Sequence, residues 1–185
     1  MSDAILVFNA GSSSLKFAVF LDGNPPAPLI RGQVEGLFTQ PHFVARDTAG
    51  HIIGDQQWPA DTQLGHAGAI DFIFRWGREP LSEHRIVAAG HRVGHGGMTF
   101  TRPVLVDARV LEALETLIPL APLHQPHNLG AIKAVAERAP ELPQVACFDT
   151  AFHRNQPAVA QAYGLPRRFA AEGVLRYGFH GLSYE

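Results

Sequence analysis

The chain has 185 residues, 46% of them hydrophobic, which is enough for one domain with a core of its own. Its formal net charge of -2 argues against binding to nucleic acid or a membrane through bulk electrostatics. The single cysteine, Cys147, excludes a disulfide framework within the chain. Because the sequence lacks a basic and apolar leader and any apolar run long enough to cross a bilayer, we expect a cytoplasmic protein.

The N-terminal stretch holds two strand-like segments around a small polar turn. Residues 5–8 form a continuous apolar run, as a strand buried on both faces does. Residues 15–21 show the period of two that is typical of a strand. The turn at 9–14 contains Asn9, Gly11 and serines, so its N–H groups and hydroxyls can converge on a phosphate. It lacks the second glycine and the lysine of a Walker loop, and taken alone it equally suits a plain hairpin.

The pattern beyond residue 22 predicts further strands and three helices. Short strands are predicted over 29–37, 42–46, 51–57, 86–89 and 144–148. One helix is predicted over 63–76. A second is predicted to begin after an N-cap at Asp107 and to carry an apolar face that reaches Ile118. A third is predicted to have Pro126 in its first turn. Strands followed by alternating helices and strands indicate an α/β domain with a mixed sheet flanked by helices.

A glycine-rich segment, GHRVGHGG at 90–97, follows the predicted strand at 86–89. Its glycines allow close approach of the backbone to a ligand. Arg92 is its only permanent cation, and a planar guanidinium matches a carboxylate or phosphoryl group. The alternative is a flexible connection that leaves Arg92 on the surface. His91 and His95 are spaced like metal ligands on a helix, but the glycines argue against a helix and so against zinc.

Further polar residues stand where a ligand could be bound. His124 and His127 flank Pro126, where an imidazole can donate to a phosphoryl or carboxylate oxygen or simply form part of a capped helix start. Asp149 follows an apolar strand, the place where open α/β sheets put ligand-binding groups. Its carboxylate can hold Mg²⁺ through water, orient a nucleophile, or cap the next helix. The aromatic-rich segment RYGFHG at 176–181 by itself suggests packing.

Four regions of the chain, in order, resemble the acetate kinases, members of the acetate and sugar kinase/Hsp70/actin superfamily. The matching segments are NAGSSSLKF at 9–17, GHRVGHGG at 90–97, PLAPLHQPHNL at 119–129, and FDTAFH with RYGFHG at 148–153 and 176–181. The resemblance implies a ribonuclease H-like, actin-like ATPase domain of a two-domain family. Residues 1–185 then correspond to the N-terminal domain, and the C-terminal domain of the family is absent from this sequence.

The resemblance implies reversible, Mg²⁺-dependent phosphoryl transfer from ATP to acetate, giving acetyl phosphate and ADP. Acetate is already ionised at neutral pH, so the site must bring two anions together and neutralise charge on the equatorial oxygens. By the same resemblance Arg92, Asp149 and His180 are the catalytic residues. The expected partners are acetate and ATP as small molecules, with no nucleic acid and no membrane, and the full-length enzyme is expected to be a homodimer.

The ligand-binding residues also follow from the resemblance, position by position. They are Arg92, Gly94, Leu123, His124 and Phe179 for the acyl substrate, Ser12, Ser14 and Lys16 for nucleotide phosphates, and Asn9 for the metal. Leu182 and Tyr184 depart from the family pattern, which usually has Thr and His there. That departure puts the geometry of the last turn in question.

Gly94 stands where the acetate kinases usually carry a valine that closes the pocket around the acetate methyl group. The missing side chain predicts a wider pocket that admits propionate or butyrate, unless a bulkier neighbour fills the space. A propionate or butyrate kinase is therefore one alternative. A second alternative, of another class, is a non-catalytic half-domain that binds anions or a partner. The isolated 185-residue chain is expected to be inactive.

Overall fold

The computed structural model describes residues 1–185 and folds them around one eight-stranded sheet. The strands are β1 (Ser2–Ala10), β2 (Leu15–Leu21), β3 (Ala27–Glu35), β4 (His42–Asp47), β5 (Ile52–Gln57), β6 (His84–Val93), β7 (Val104–Leu105) and β8 (Gln144–Phe148). The helices are α1 (Gly65–Trp76), α2 (Ala108–Glu115), α3 (Gln125–Arg138), α4 (Ala158–Gln161) and α5 (Arg167–Ala171), with 3₁₀ turns at Ile118–Leu120, Ala151–Asn155 and Gly181–Ser183. The predicted α/β class and mixed sheet are confirmed.

The strand order is β5-β4-β3-β2-β1-β6-β8-β7, and it joins two kinds of pairing. Strands β1 to β5 pair antiparallel with their neighbours along the chain. Strands β1, β6 and β8 run parallel to one another, and β7 pairs antiparallel with β8 at the edge. The carboxyl ends of β1, β6 and β8 therefore meet at one edge of the sheet, where such sheets bind ligands.

Along β1, fully buried residues alternate with less buried ones, and the buried residues mark the face of the sheet that packs against helices. Its buried residues are Ala4, Leu6, Phe8 and Ala10. They belong to the main core, together with side chains of α1 such as Ile70 and of α3 such as Val135. Burying a large aliphatic side chain of this kind contributes about 1.5–3 kcal/mol. A second, smaller core joins α2, α3 and β8 through residues such as Leu114, Ile132 and Phe148.

Every predicted strand and helix is present, but the glycine-rich segment differs from the prediction. Strand β6 continues through Gly90 to Val93, because these residues pair with Val145 to Phe148 of β8. Arg92 therefore projects from a strand between two others, and the alternative of a flexible connection is wrong for residues 90–93.

The structure also refines the regions after β6. The short strand β7 and the helices α4 and α5 were not predicted. Asp107 caps α2 as predicted, since its Oδ1 accepts a hydrogen bond from the Val110 N–H at 2.7 Å. The helix ends at Glu115, however, so Ile118 lies in a 3₁₀ turn beyond it. None of the helices combines the length and the apolar character needed to span a bilayer.

Candidate active site

A cavity of about 470 Å³ opens where the carboxyl ends of β1, β6 and β8 meet. Its walls come from the end of β1 with the following turn, the end of β6, the start of α3, the end of β8 and the segment 176–181. The predicted site residues that line it are Asn9, Ser12, Ser14, Arg92, Gly94, His124, Asp149, Phe179 and His180. Segments far apart in the sequence thus meet as the resemblance implies, while the role of each residue stays a prediction.

Arg92 is the charged centre of the cavity. Its Nη2 donates to Asp149 Oδ2 at 2.7 Å, and its Nε donates to both carboxylate oxygens at 3.1 and 3.2 Å. Its Nη1 donates to Asn9 Oδ1 at 3.2 Å. The Asp149 side chain is 3% exposed and that of Arg92 34%, so the ion pair is closed to solvent on the carboxylate side. The guanidinium therefore joins the ends of three strands and still faces the cavity.

The backbone around Asp149 holds its carboxylate in place. Its N–H donates to the Val93 carbonyl at 3.0 Å, so the hydrogen bonding between β6 and β8 continues past the last residue of β8. The next side chain, Thr150, accepts the Gly96 N–H at 2.9 Å. The interpretation of Asp149 as a helix cap is wrong, because its carboxylate accepts from Arg92 and the following 3₁₀ turn has no side-chain cap.

His180 is presented by an unusual backbone conformation. Its φ of 56° and ψ of 24° lie in the left-handed region, which non-glycine residues seldom occupy. A Cβ on the next residue, Gly181, would lie 2.1 Å from the Asp149 carbonyl oxygen, so only glycine fits there. This tight turn places His180 Nδ1 3.3 Å from Arg92 Nη2. Since arginine only donates, Nδ1 is the acceptor and the neutral ring keeps its proton on Nε2.

The segment that carries His180 is otherwise held by few contacts. His153 Nε2 donates to the Phe179 carbonyl at 2.9 Å, and the Phe179 ring lies 5.7 Å from the ring of His95. Where the sequence departs from the family, Leu182 lies in the 3₁₀ turn Gly181–Ser183 and Tyr184 stacks on Phe152 at 5.7 Å. With Leu182 and Tyr184 in place, His180 Nδ1 lies within hydrogen-bond distance of Arg92 Nη2.

The turn after β1 leaves hydroxyl groups free at the cavity. Its backbone is closed by the Gly11 N–H, which donates to the Ser14 carbonyl at 2.8 Å. His66 Nε2 donates to the Gly11 carbonyl at 2.7 Å. The hydroxyls of Ser12 and Ser14 have no hydrogen-bond partner within the chain, so they are available to an anion in the cavity.

The loop after β6 is open at Gly94. A Cβ built there would lie 3.6 Å from both His124 Cβ and Asn128 Oδ1, an ordinary van der Waals distance. A Cβ at this position would therefore fit without a clash and would occupy cavity space beside His124. The chain itself leaves that space empty.

His91 and His95 are both buried, and they make different contacts. His91 stacks on Phe8 at 5.6 Å, and burial lowers its pKa to about 4. His95 Nδ1 accepts the Gly97 N–H at 2.9 Å, and burial, reinforced by the Arg154 charge, lowers the pKa of His95. No group of three or more His, Cys, Asp or Glu side chains in the chain has the arrangement of a metal site.

Lys16 and Leu123 are the predicted site residues that do not line the cavity. Lys16 projects from β2 on the face of its cross-strand partner Asn9, but it lines a neighbouring surface depression with Arg31 and Arg46. Leu123 lies in the turn before α3 with 74% of its surface exposed, and Leu120 with Ala121 forms the apolar wall instead. Neither residue contacts the cavity within this chain, although their assigned roles stay predictions.

The structure adds cavity residues that were not among the predicted site residues. Ala10, Gly11 and Ser13 complete the turn, and Asn128 lines the cavity from α3. The only sequence signal for Asn128 was its place in PLAPLHQPHNL, three residues after Gln125 on the same helix. An amide in a helix looks like any solvated polar residue until its partners are known.

Comparison with known proteins identifies relatives along the whole chain. The sequence model of the Acetokinase family matches residues 4–185. An acetate kinase from Rhizobium meliloti is 50% identical over 184 residues, covering 99% of this chain and 47% of its own length. The solved propionate kinase of Francisella tularensis superposes with a TM-score of 0.85 at 34% identity, covering 100% of this chain and 46% of its own. The solved acetate kinase of Porphyromonas gingivalis superposes with a TM-score of 0.86 at 33% identity, covering 99% of this chain and 46% of its own. The chain thus spans about half the length of the relatives it matches.

Proposed function

The chain belongs to the acetokinase family and has its actin-like ATPase fold, and from that premise we propose that it forms the N-terminal half of an ATP-dependent acetate kinase. The reaction moves the terminal phosphoryl group of ATP to a carboxylate oxygen of acetate, giving acetyl phosphate and ADP, and it is reversible. The observation that carries the proposal is the Arg92 guanidinium, which contacts Asp149, Asn9 and His180 at the cavity wall.

The geometry fits a reaction whose main obstacle is negative charge. Acetate is ionised at neutral pH, so the site needs no base to activate it, and phosphoryl transfer depends on positioning and charge neutralisation. Arg92 and the Nε2–H of His180 are the donors toward the transferring group, and Asp149 holds the guanidinium in place. The free hydroxyls of Ser12 and Ser14 supply hydrogen bonds to phosphate oxygens.

The residues of the cavity could bind Mg²⁺ through water molecules, not by direct coordination. Asn9 and Asp149 offer oxygen atoms, the ligand type that Mg²⁺ prefers, but both accept hydrogen bonds from Arg92. Mg²⁺ usually keeps several waters and binds through one or two carboxylates plus substrate phosphates. We therefore assign Asn9 and Asp149 to hold the ion through water. The ion would neutralise charge on the ATP phosphates.

The acyl pocket supports a second candidate substrate. The space beside Gly94 and His124 is empty, and Phe179 lines the same cavity. One buried methylene is worth about 0.8 kcal/mol of apolar transfer, and pockets discriminate a methylene by about 1–3 kcal/mol. Propionate therefore fits where a valine would exclude it. The solved Francisella tularensis relative is a propionate kinase, which favours this candidate over butyrate.

Three expectations accompany the proposal. The chain alone should be inactive, because half of the relatives' length is missing from it and the cavity would stay open to water. In that form it is the non-catalytic half-domain considered above. The full-length protein should be a homodimer in the cytoplasm and should use acetate and ATP, not nucleic acid or membrane, as partners. Size-exclusion chromatography with light scattering and cell fractionation test the assembly and the location.

The deciding experiment is a hydroxamate assay of acyl phosphate formed by the full-length gene product with ATP and acetate, propionate or butyrate. We expect acyl phosphate from acetate and propionate, and a Gly94→Val variant that retains acetate and loses propionate. Absence of acyl phosphate with every acid would refute the proposal. Equal rejection of propionate by wild type and variant would refute the widened pocket alone.

A further inference from the structure

The buried side-chain amide of Asn128 on α3 is bonded at both ends. Asn128 is 6% exposed. Its Nδ2 donates to the Ala10 carbonyl at 2.8 Å, and its Oδ1 accepts the Gly94 N–H at 2.9 Å. One side chain therefore bonds to the turn after β1 and to the loop after β6.

These hydrogen bonds lie just beyond the point where the backbone pairing of β1 with β6 ends. The parallel pairing of β1 with β6 ends at Phe8 and His91. Ala10 and Gly94 lie past that last pair, so no backbone ladder fixes the distance between them. The amide of Asn128 joins the two backbones here with one donor and one acceptor, beside the side-chain hydrogen bond from Arg92 to Asn9.

Three neighbouring side chains also hold these segments, but each bonds to the backbone of only one of them, as when Thr150 accepts the Gly96 N–H at 2.9 Å. Gln125, one helical turn before Asn128, accepts the His95 N–H at 3.2 Å and donates to the His95 carbonyl at 2.9 Å. His66 donates to the Gly11 carbonyl at 2.7 Å. Asn128 alone bonds to the backbone of both the turn at 9–14 and the loop at 94–97.

The distance that Asn128 fixes separates groups assigned to different ligands. Asn9 and the serine hydroxyls stand on the turn, while Arg92 and Gly94 stand at the end of β6. We propose that Asn128 is a positioning residue that fixes the phosphate-facing turn relative to the carboxylate-facing loop. The inference rests on the proposed phosphoryl transfer for its purpose, but the coupling itself is independent of any activity.

Hydrogen exchange of the full-length protein tests the coupling directly. Asn128→Leu, which keeps the shape and removes both bonds, should speed exchange about tenfold in the turn at 9–14 and in the loop at 94–97 together. Gln125→Met should speed only the loop, and His66→Phe only the turn. If Asn128→Leu speeds neither segment, or only one, the coupling is refuted, whether or not the protein phosphorylates acetate.

Kinetics of the same proteins test what the coupling does. Asn128→Leu should lower kcat about a hundredfold, since small misplacements of reacting groups have effects of that size. Gln144→Leu is the matched control, because Gln144 is an equally buried amide at the start of β8, the end away from the cavity. It should lose stability but keep its kcat. A kcat of Asn128→Leu near that of wild type, or an equal loss in Gln144→Leu, overturns the positioning role. If wild type forms no acyl phosphate, the proposed function fails, and the exchange experiment still decides on Asn128.

Discussion

The two sides of the cavity are built in different ways. The strand wall, formed by Asn9, Arg92 and Asp149, stands at the ends of three paired strands and is tied together by the guanidinium. The loop wall, formed by the exposed side chains of Phe179 and His180, comes from a segment outside the sheet that is held by hydrogen bonds at the Phe179 carbonyl and the Gly181 N–H. A change in the strand wall should therefore affect folding and activity together, whereas a change in the loop wall should affect activity alone.

The largest effect is expected at Arg92. Arg92→Ala in the full-length protein removes a charged donor, which should lower kcat/KM about 10²- to 10³-fold, a loss of about 2.7–4 kcal/mol of transition-state stabilisation. It also leaves the buried Asp149 carboxylate without its cation, so the free energy of unfolding should fall by roughly 1–3 kcal/mol. Steady-state kinetics and urea unfolding measure the two effects.

The matched control for this variant is Arg85→Ala. Arg85 forms an exposed pair with Asp3 at the opposite end of the same strands, and its removal should change neither quantity. A fall in kcat/KM below about threefold in Arg92→Ala would place the guanidinium outside the reaction.

The loop wall should respond with a separation of activity from stability. His180→Ala should lower kcat about a hundredfold, because one donor toward the transferring phosphoryl group is lost. Its side chain is exposed, so the free energy of unfolding should stay within about 0.5 kcal/mol of wild type. A stability loss as large as that of Arg92→Ala would show that the two walls are not different in kind.

The strand wall should also carry the pH dependence of stability. His91 lies under it, with a pKa lowered to about 4 by burial, below the ordinary value near 6.5. Above pH 6.5 the ring is neutral in both states; as pH falls toward 4, only the unfolded state takes up the proton, so stability falls. Between pH 7.5 and pH 5 the loss should be about 2 kcal/mol, because the slope approaches 1.36 kcal/mol per pH unit only below pH 6.5.

Urea unfolding at pH 7.5 and pH 5 measures this loss. The buried His66 and His95 also have lowered pKa values and add to it with the same sign, so the comparison must be made with a His91→Leu variant. That variant should lose less stability on acidification than wild type. An unchanged pH dependence would contradict the assignment to His91.

Most of the strands and helices could be predicted from local sequence patterns, because the spacing of apolar residues reflects which side chains are buried. The alternation in β2 and the cap at Asp107 each have one structural solution, and the structure contains it. The apolar run at 5–8 forms the predicted strand, but the prediction that both faces are buried was wrong, because Ile5 and Val7 on one face are only half-buried. The strand character of Gly90 to Val93 did not follow, since pairing with β8, and with β1 as far as His91, overrides the weak strand preference of glycine. Tertiary pairing decides such segments, and it is not visible in a window of sequence.

The polar residues that face the ligand were predicted from the sequence, but the residue that positions the surrounding segments was not. Arg92, Asp149 and His180 were identified by resemblance, and the structure brings them within hydrogen-bond distance. Asn128 was missed, because its importance lies in joining two segments that meet only in the folded chain. Leu123 was assigned to the pocket by the resemblance, but within this chain the turn before α3 leaves it exposed to solvent.

A double-mutant cycle of Arg92→Ala and His180→Ala in the full-length protein tests most directly whether both walls act on one phosphoryl group. The two side chains are 3.3 Å apart, and residues that act as a unit have non-additive effects. We predict that the double variant loses less transition-state stabilisation, measured as kcat/KM with acetate and ATP, than the two single losses combined, by about 1 kcal/mol or more. Losses that add to within about 0.5 kcal/mol would contradict the account.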